Sequence, residues 1–72
     1  MKRQHLKEML AEKGVPSSYY NLDGIGRTDE RFCLEATSSG WRVYYSERGI
    51  NTTDRVFVSE DDACLFIYEQ LV

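Results

Sequence analysis

The chain has little of what most catalytic and metal sites are built from. Its 72 residues include one histidine, two cysteines, one proline and one tryptophan. His5 sits among Lys2, Arg3 and Lys7, and reads as a solvated helix residue rather than a general base. Cys33 and Cys64 lie 31 positions apart, which is no metal-ligand spacing. Both fall in apolar runs and read as reduced structural thiols of a cytoplasmic protein. Glycine is present at Gly24-Ile25-Gly26, but without the third glycine and the following helix of a dinucleotide loop. No segment approaches the roughly 18 apolar residues of a membrane-spanning helix, and Met1-Lys2-Arg3 is not followed by the apolar stretch of a secretory signal. A chain this short buries only ~60% of its unfolded surface, which leaves little room for a deep ligand pocket of roughly 300 Å³ or more. These absences predict a non-enzyme with no cofactor and no metal.

What is present begins with charge. Twelve acidic and nine basic residues give a formal charge of −3. The segment 1–14 is basic, with Lys2, Arg3, Lys7 and Lys13 against Glu8 and Glu12. The remainder carries five arginines against ten carboxylates, and from Ser59 onward there are four acids and neither lysine nor arginine. Nucleic-acid and membrane-surface binders concentrate basic residues instead. The balance therefore excludes those partners and suits a basic protein partner, or plain solubility.

The pattern of apolar residues predicts one domain over 1–72. Leu6, Met9 and Leu10 have helical spacing within 2–13, with Gly14 at the left-handed stop and Pro16 blocking resumption. Residues 19–22 read as a short strand before the turn formers Asp23-Gly24-Ile25-Gly26. Residues 31–37 form a strand, Ser38-Ser39-Gly40 a tight hairpin, and Trp41-Arg42-Val43-Tyr44-Tyr45-Ser46 the central strand, ending at Glu47-Arg48-Gly49. Residues 48–54 read as a second turn and 55–58 as a third strand. Ser59 is an N-cap with Asp62 at N3, opening a helix over 60–71 whose inner stripe is Ala63, Cys64, Ile67, Tyr68 and Leu71. Leu65 and Phe66 fall outside that stripe, so this helix is buried on a second side or one of the two meets a partner.

The fold expected is thus α+β in two layers: a helix, a three- or four-stranded antiparallel meander and a second helix. Both helices would cover one sheet face, over Phe32, Leu34, Trp41, Val43 and Tyr45. The other face would carry Glu35, Thr37, Arg42, Tyr44 and Ser46. Glu35, Arg42 and Tyr44 are candidate partner-binding residues, because arginine and tyrosine are enriched in interface hot spots; a plain cross-strand Glu35–Arg42 pair explains them equally. A second candidate surface is the acidic helix face of Asp61, Leu65, Glu69 and Val72, which also reads as an ordinary solvated face. Glu60, Asp61 and Asp62 suit the positive end of the helix dipole better than a divalent-metal site.

Trp41 to Gly49, Phe57-Val58-Ser59-Glu60 and Asp62-Ala63-Cys64, with the Val15-Pro16 break and Tyr20-Asn21-Leu22-Asp23-Gly24 before them, make the chain resemble a group of small bacterial proteins. Those proteins are immunity partners in polymorphic-toxin and contact-dependent growth-inhibition systems. The resemblance implies a cytoplasmic protein that binds a cognate toxin domain, such as a basic nuclease, and neutralises it. It assigns no individual contact residue, because the matching positions are mainly fold-forming. The other reading is a small structural or regulatory module that self-associates through its sheet edge or open face, with no toxin partner; the chain itself is expected as a monomer or weak dimer.

Overall fold

The computed structural model describes residues 1–24 and 26–72; Ile25, within the expected Asp23–Gly26 turn, lies outside the described residues. Helix α1 spans Arg3–Glu12, with Leu6 and Leu10 fully buried. It stops as its sequence dictates. Gly14 adopts φ +76°, its N–H donates to the Ala11 carbonyl (3.0 Å), and the Val15 N–H donates to the Leu10 carbonyl (2.9 Å). This crossed pair satisfies carbonyls that the helix end would otherwise leave unpaired.

Four strands follow: β1 Tyr20–Asn21, β2 Arg31–Thr37, β3 Gly40–Glu47 and β4 Ile50–Phe57. They form one sheet in that order. β2, β3 and β4 pair antiparallel, but β1 runs parallel to β2, with Tyr20 opposite Phe32. The sheet is therefore mixed, which corrects the expectation of a wholly antiparallel one. The cause is local. Asn21, 8% exposed, accepts hydrogen bonds at Oδ1 from the backbone N–H groups of Asp23 (3.2 Å) and Gly24 (2.9 Å), and its Nδ2 donates to the Arg27 carbonyl (2.8 Å). The buried amide organises the segment after β1 as a loop rather than a hairpin.

A second correction concerns residues 48–54. Only Arg48 and Gly49 turn the chain, at φ +52° and +78°, with Glu47 opposite Ile50. Two successive positive φ values are what a two-residue hairpin requires to match strand twist. β4 thus starts at Ile50 and stops at Phe57, leaving Val58 beyond the strand and 93% exposed. Its register slips once. Tyr45 faces Thr52 and Val43 faces Arg55, so two β4 residues oppose one on β3, with Thr53 at φ +51°. This is a β-bulge.

Helix α2 spans Glu60–Leu71. The Ser59 hydroxyl caps it by accepting from the Asp62 N–H (3.1 Å). Glu60 does something its sequence position hides. Its carboxylate accepts from the backbone N–H of Arg3 (2.9 Å) and lies near Lys2 Nζ (3.6 Å) and Arg3 Nε (3.7 Å). It therefore serves the positive end of α1 as well as that of its own helix.

The core gathers Leu6 and Leu10 from α1, Leu22 after β1, Leu34 and Val43 from the sheet, and Ala63, Cys64 and Ile67 from α2. Phe32 and Trp41 pack against this cluster but remain partly exposed, with the Arg3 guanidinium 5.5 Å from the Trp41 ring centre. Tyr45 is also only partly buried and stacks at a tilt on Phe32, ring centres 5.1 Å apart. Phe66 and Leu65, both outside the inner stripe of α2, have separate fates. Phe66 meets Phe57 at 5.4 Å and the Arg55 guanidinium at 5.1 Å, whereas Leu65 stays 48% exposed. Strand alternation puts Cys33 on the face of Glu35 and away from Leu34, yet it is 3% exposed, and Ser46, read as open to solvent, is 5% exposed. Asp29 bridges to Ser46 and the Thr28 carbonyl lies 3.7 Å from Cys33 Sγ, so the segment before β2 covers that end of the face.

Candidate functional site

Strand alternation sends Arg42 and Tyr44 to the side opposite Val43. Cross-strand register puts Glu35 opposite Arg42 and Cys33 opposite Tyr44, so three of the sequence candidates do converge. A fourth residue, Asp54, completes the group. Arg42 Nε and Nη2 donate to the two Asp54 oxygens at 2.9 and 2.7 Å, Nη1 donates to Glu35 Oε1 at 3.4 Å, and the guanidinium lies 4.4 Å from the Tyr44 ring centre. The two-point contact with Asp54 is the geometry in which arginine and carboxylate fit best. It raises the Arg42 pKa further and lowers that of Asp54. Burial raises the Tyr44 phenol, with the Cys33 thiol adding to it; burial likewise raises Cys33, partly offset by its hydrogen bond with Tyr44.

Asp54 was hidden in the sequence because residues 48–54 read as a turn. Once the turn shrinks to Arg48 and Gly49, the bulge at Thr53 carries Asp54 to Arg42. The consequence for binding is direct. Arg42 has three intramolecular partners, so a ligand must compete for it, while the group as a whole presents two carboxylates and one guanidinium.

The second candidate group keeps its helical spacing on α2. Asp61, Leu65 and Glu69 are all exposed, as is Val72 at 55%. The Met1 amino group pairs with Asp61 and lowers its pKa. No basic side chain belongs to this helix. Leu65 is thus an exposed apolar residue flanked along the helix by carboxylates four positions away on either side.

A third region was not singled out by sequence. Surface cavities of about 320 and 440 Å³ lie beside β1 and the start of β2, and Arg27 and Arg31 line both. Their isolation along the chain gave no motif; only the loop fixed by Asn21 brings them near Lys7 and Ser17. Opposite, β4 is the long edge of the sheet and is exposed throughout except at Phe57, with Ile50 at 66% and Val56 at 58%. Among the described residues, no three or more His, Cys, Asp or Glu side chains group as a metal site, and no helix is long and apolar enough to cross a membrane. Comparison with protein-family models, with characterised proteins and with solved structures finds no match.

Proposed function

We propose that this protein is an immunity-type inhibitor that binds a basic toxin domain in the cytoplasm through the outer face of α2. The observation that carries the reading is Leu65, 48% exposed between Asp61 and Glu69. An apolar centre with a polar rim is the anatomy of a protein interface; Asp61 is held by the Met1 amino group, and Glu69, without an ion pair among the described residues, leaves the rim a negative charge that selects a cationic surface. In this reading both helices cover one sheet face. The reverse face, with Glu35, Arg42, Tyr44 and Asp54, offers a second acidic patch whose arginine is already neutralised. Nucleic acid and membrane are disfavoured by the same charge balance.

Co-purification with the product of the neighbouring gene tests this reading. Glu69→Lys should slow association and weaken its salt dependence, because rim charges act mainly on encounter. Leu65→Ala should mainly raise the dissociation rate if Leu65 is the buried anchor. A neighbour product that neither binds this protein nor harms cells lacking it would refute the reading.

The exposed length of β4 favours one other reading, a self-associating module without a toxin. An unpaired strand edge is a template for pairing with a second copy. Light scattering across protein concentration separates the two, since a dimer lost on Val56→Lys belongs only to the second.

A further inference from the structure

Among the described residues, the 320 Å³ cavity beside β1 is lined by Lys7, Arg27 and Arg31 as cations and by Asp23 as its only anion, together with Ser17 and Tyr20. Asp23 is already held by Lys7 at 2.8 Å. The lining therefore carries a net +2 within a chain whose total is −3. Neither Arg27 nor Arg31 forms an ion pair among the described residues. This contrasts with Arg42, which has two carboxylate partners. The adjoining 440 Å³ cavity shares both arginines but adds Asp29 and Glu30, which cancels its charge and leaves the first cavity as the cationic one.

Arg31 is held in place as the first residue of β2, with its backbone opposite Ser46. Arg27 is fixed through its carbonyl, which accepts from Asn21 Nδ2. Arg31 and Arg27 thus stand at a strand end and at a carbonyl held by Asn21, and Ser17 lines the same cavity.

We infer that this cavity binds a phosphate monoester dianion. A phosphoryl group carries ≈ −1.5 to −2 at neutral pH and three acceptor oxygens, which matches the net +2 and the donor-rich lining better than a monovalent carboxylate does. The volume exceeds that of a bare phosphoryl group and falls at the low end of small-ligand pockets, ~300–1,000 Å³, so a short organic substituent fits beside Tyr20.

The test is titration of the full chain at pH 7.5 with inorganic phosphate, glycerol phosphate, sulfate and acetate, each read by amide chemical shifts of residues 17–31 and by calorimetry. Saturable binding of a phosphate species is expected at or below roughly 10 mM. Preference for glycerol phosphate over inorganic phosphate identifies an organic monoester as the ligand; equal affinity identifies the phosphoryl group alone as what is read. Binding of glycerol phosphate should weaken as pH falls through the monoester's second pKa of ≈ 6. Arg27→Gln removes an exposed cation and should weaken binding about tenfold, the scale of one charge-assisted hydrogen bond. Arg31→Lys keeps the charge but not the fork and should do the same with the amide spectrum otherwise preserved. Absence of saturation by either phosphate, equal binding of acetate, or wild-type affinity in Arg27→Gln would each overturn the assignment.

Discussion

Gly40 provides the sharpest quantitative test of the sheet. It opens β3 at φ +152°, and a Cβ built there would lie 2.2 Å from the Phe57 carbonyl oxygen and 3.4 Å from Val56 Cγ1. Real Cβ contacts are not found below 3.0 Å. Alanine at this position therefore forces the two backbones apart by close to an ångström. The atom in the way is the main-chain carbonyl oxygen of Phe57, which pairs with Trp41 in the β3–β4 ladder, so it cannot rotate aside as a side-chain tip would. Holding a non-glycine residue in a sparsely populated conformation costs about 1–3 kcal/mol, and overpacking costs about as much again, ~1–3 kcal/mol. Gly40→Ala should then lose roughly 2–6 kcal/mol, against a total of about 4–11 kcal/mol for 72 residues at ~0.05–0.15 kcal/mol each. Gly49→Ala is the matched control. It sits at φ +78° with nothing within 4 Å of the added carbon, so it carries only the left-handed penalty of about 1–2 kcal/mol. Urea melts followed by far-ultraviolet circular dichroism, with Trp41 fluorescence as a second probe, measure both. Equal costs for the two variants would refute the close approach of β4 to Gly40.

Other expectations follow from the core and the charge pairs. Ile67→Ala, at a fully buried position, should cost about 2–5 kcal/mol in the same melt, whereas Leu65→Ala should stay within about 0.5 kcal/mol because Leu65 faces solvent. Arg42 lowers the Asp54 pKa below its ordinary 3.8. A lowered folded-state value stabilises above the unfolded pKa and is lost as pH falls through the folded one. The urea midpoint should therefore drop below about pH 3.8, and Asp54→Asn should shrink that acid-side drop; an unchanged acid limb would break the Arg42–Asp54 assignment. Burial, with Glu60 nearby, pushes the Cys64 thiol up to about 11, and burial also raises Cys33. Both free thiols should resist alkylation at pH 8 in the folded protein and take up two labels in denaturant; rapid labelling without denaturant would place one of them at the surface.

The sequence alone set the local structure wherever neighbours along the chain decide it. The α1 stop at Gly14, the Ser59 cap and the leucine pair Leu6 and Leu10 follow from short-range geometry and periodicity. So do the Leu34 and Val43 core positions, through strand alternation. The second turn was misread because Asn51, Thr52, Thr53 and Asp54 resemble loop residues in composition, while a long edge strand with both faces wet requires no apolar alternation. The same error hid Asp54 from the Arg42 group, although Glu35, Arg42 and Tyr44 were legible from hairpin register.

What only the tertiary structure decided concerns partners far apart in sequence. The parallel direction of β1 shows only where Tyr20 and Asn21 dock beside Phe32 and Cys33 of β2, and no hydrophobic period records strand direction. Glu60 reaches the start of α1, 57 positions away, a pairing that requires the two helices to be brought together first. Arg27 and Arg31 acquire meaning only beside Lys7, because a cavity is a property of elements meeting in space. Residue types and their spacing determined the two helices, β2, β3 and the core positions Leu34, Val43, Ala63, Cys64 and Ile67, since those are set by local sterics and burial. The mixed sheet, the bulge and the cationic cavity were decided by packing, where a few hydrogen bonds between distant segments choose among arrangements that the local pattern leaves equal.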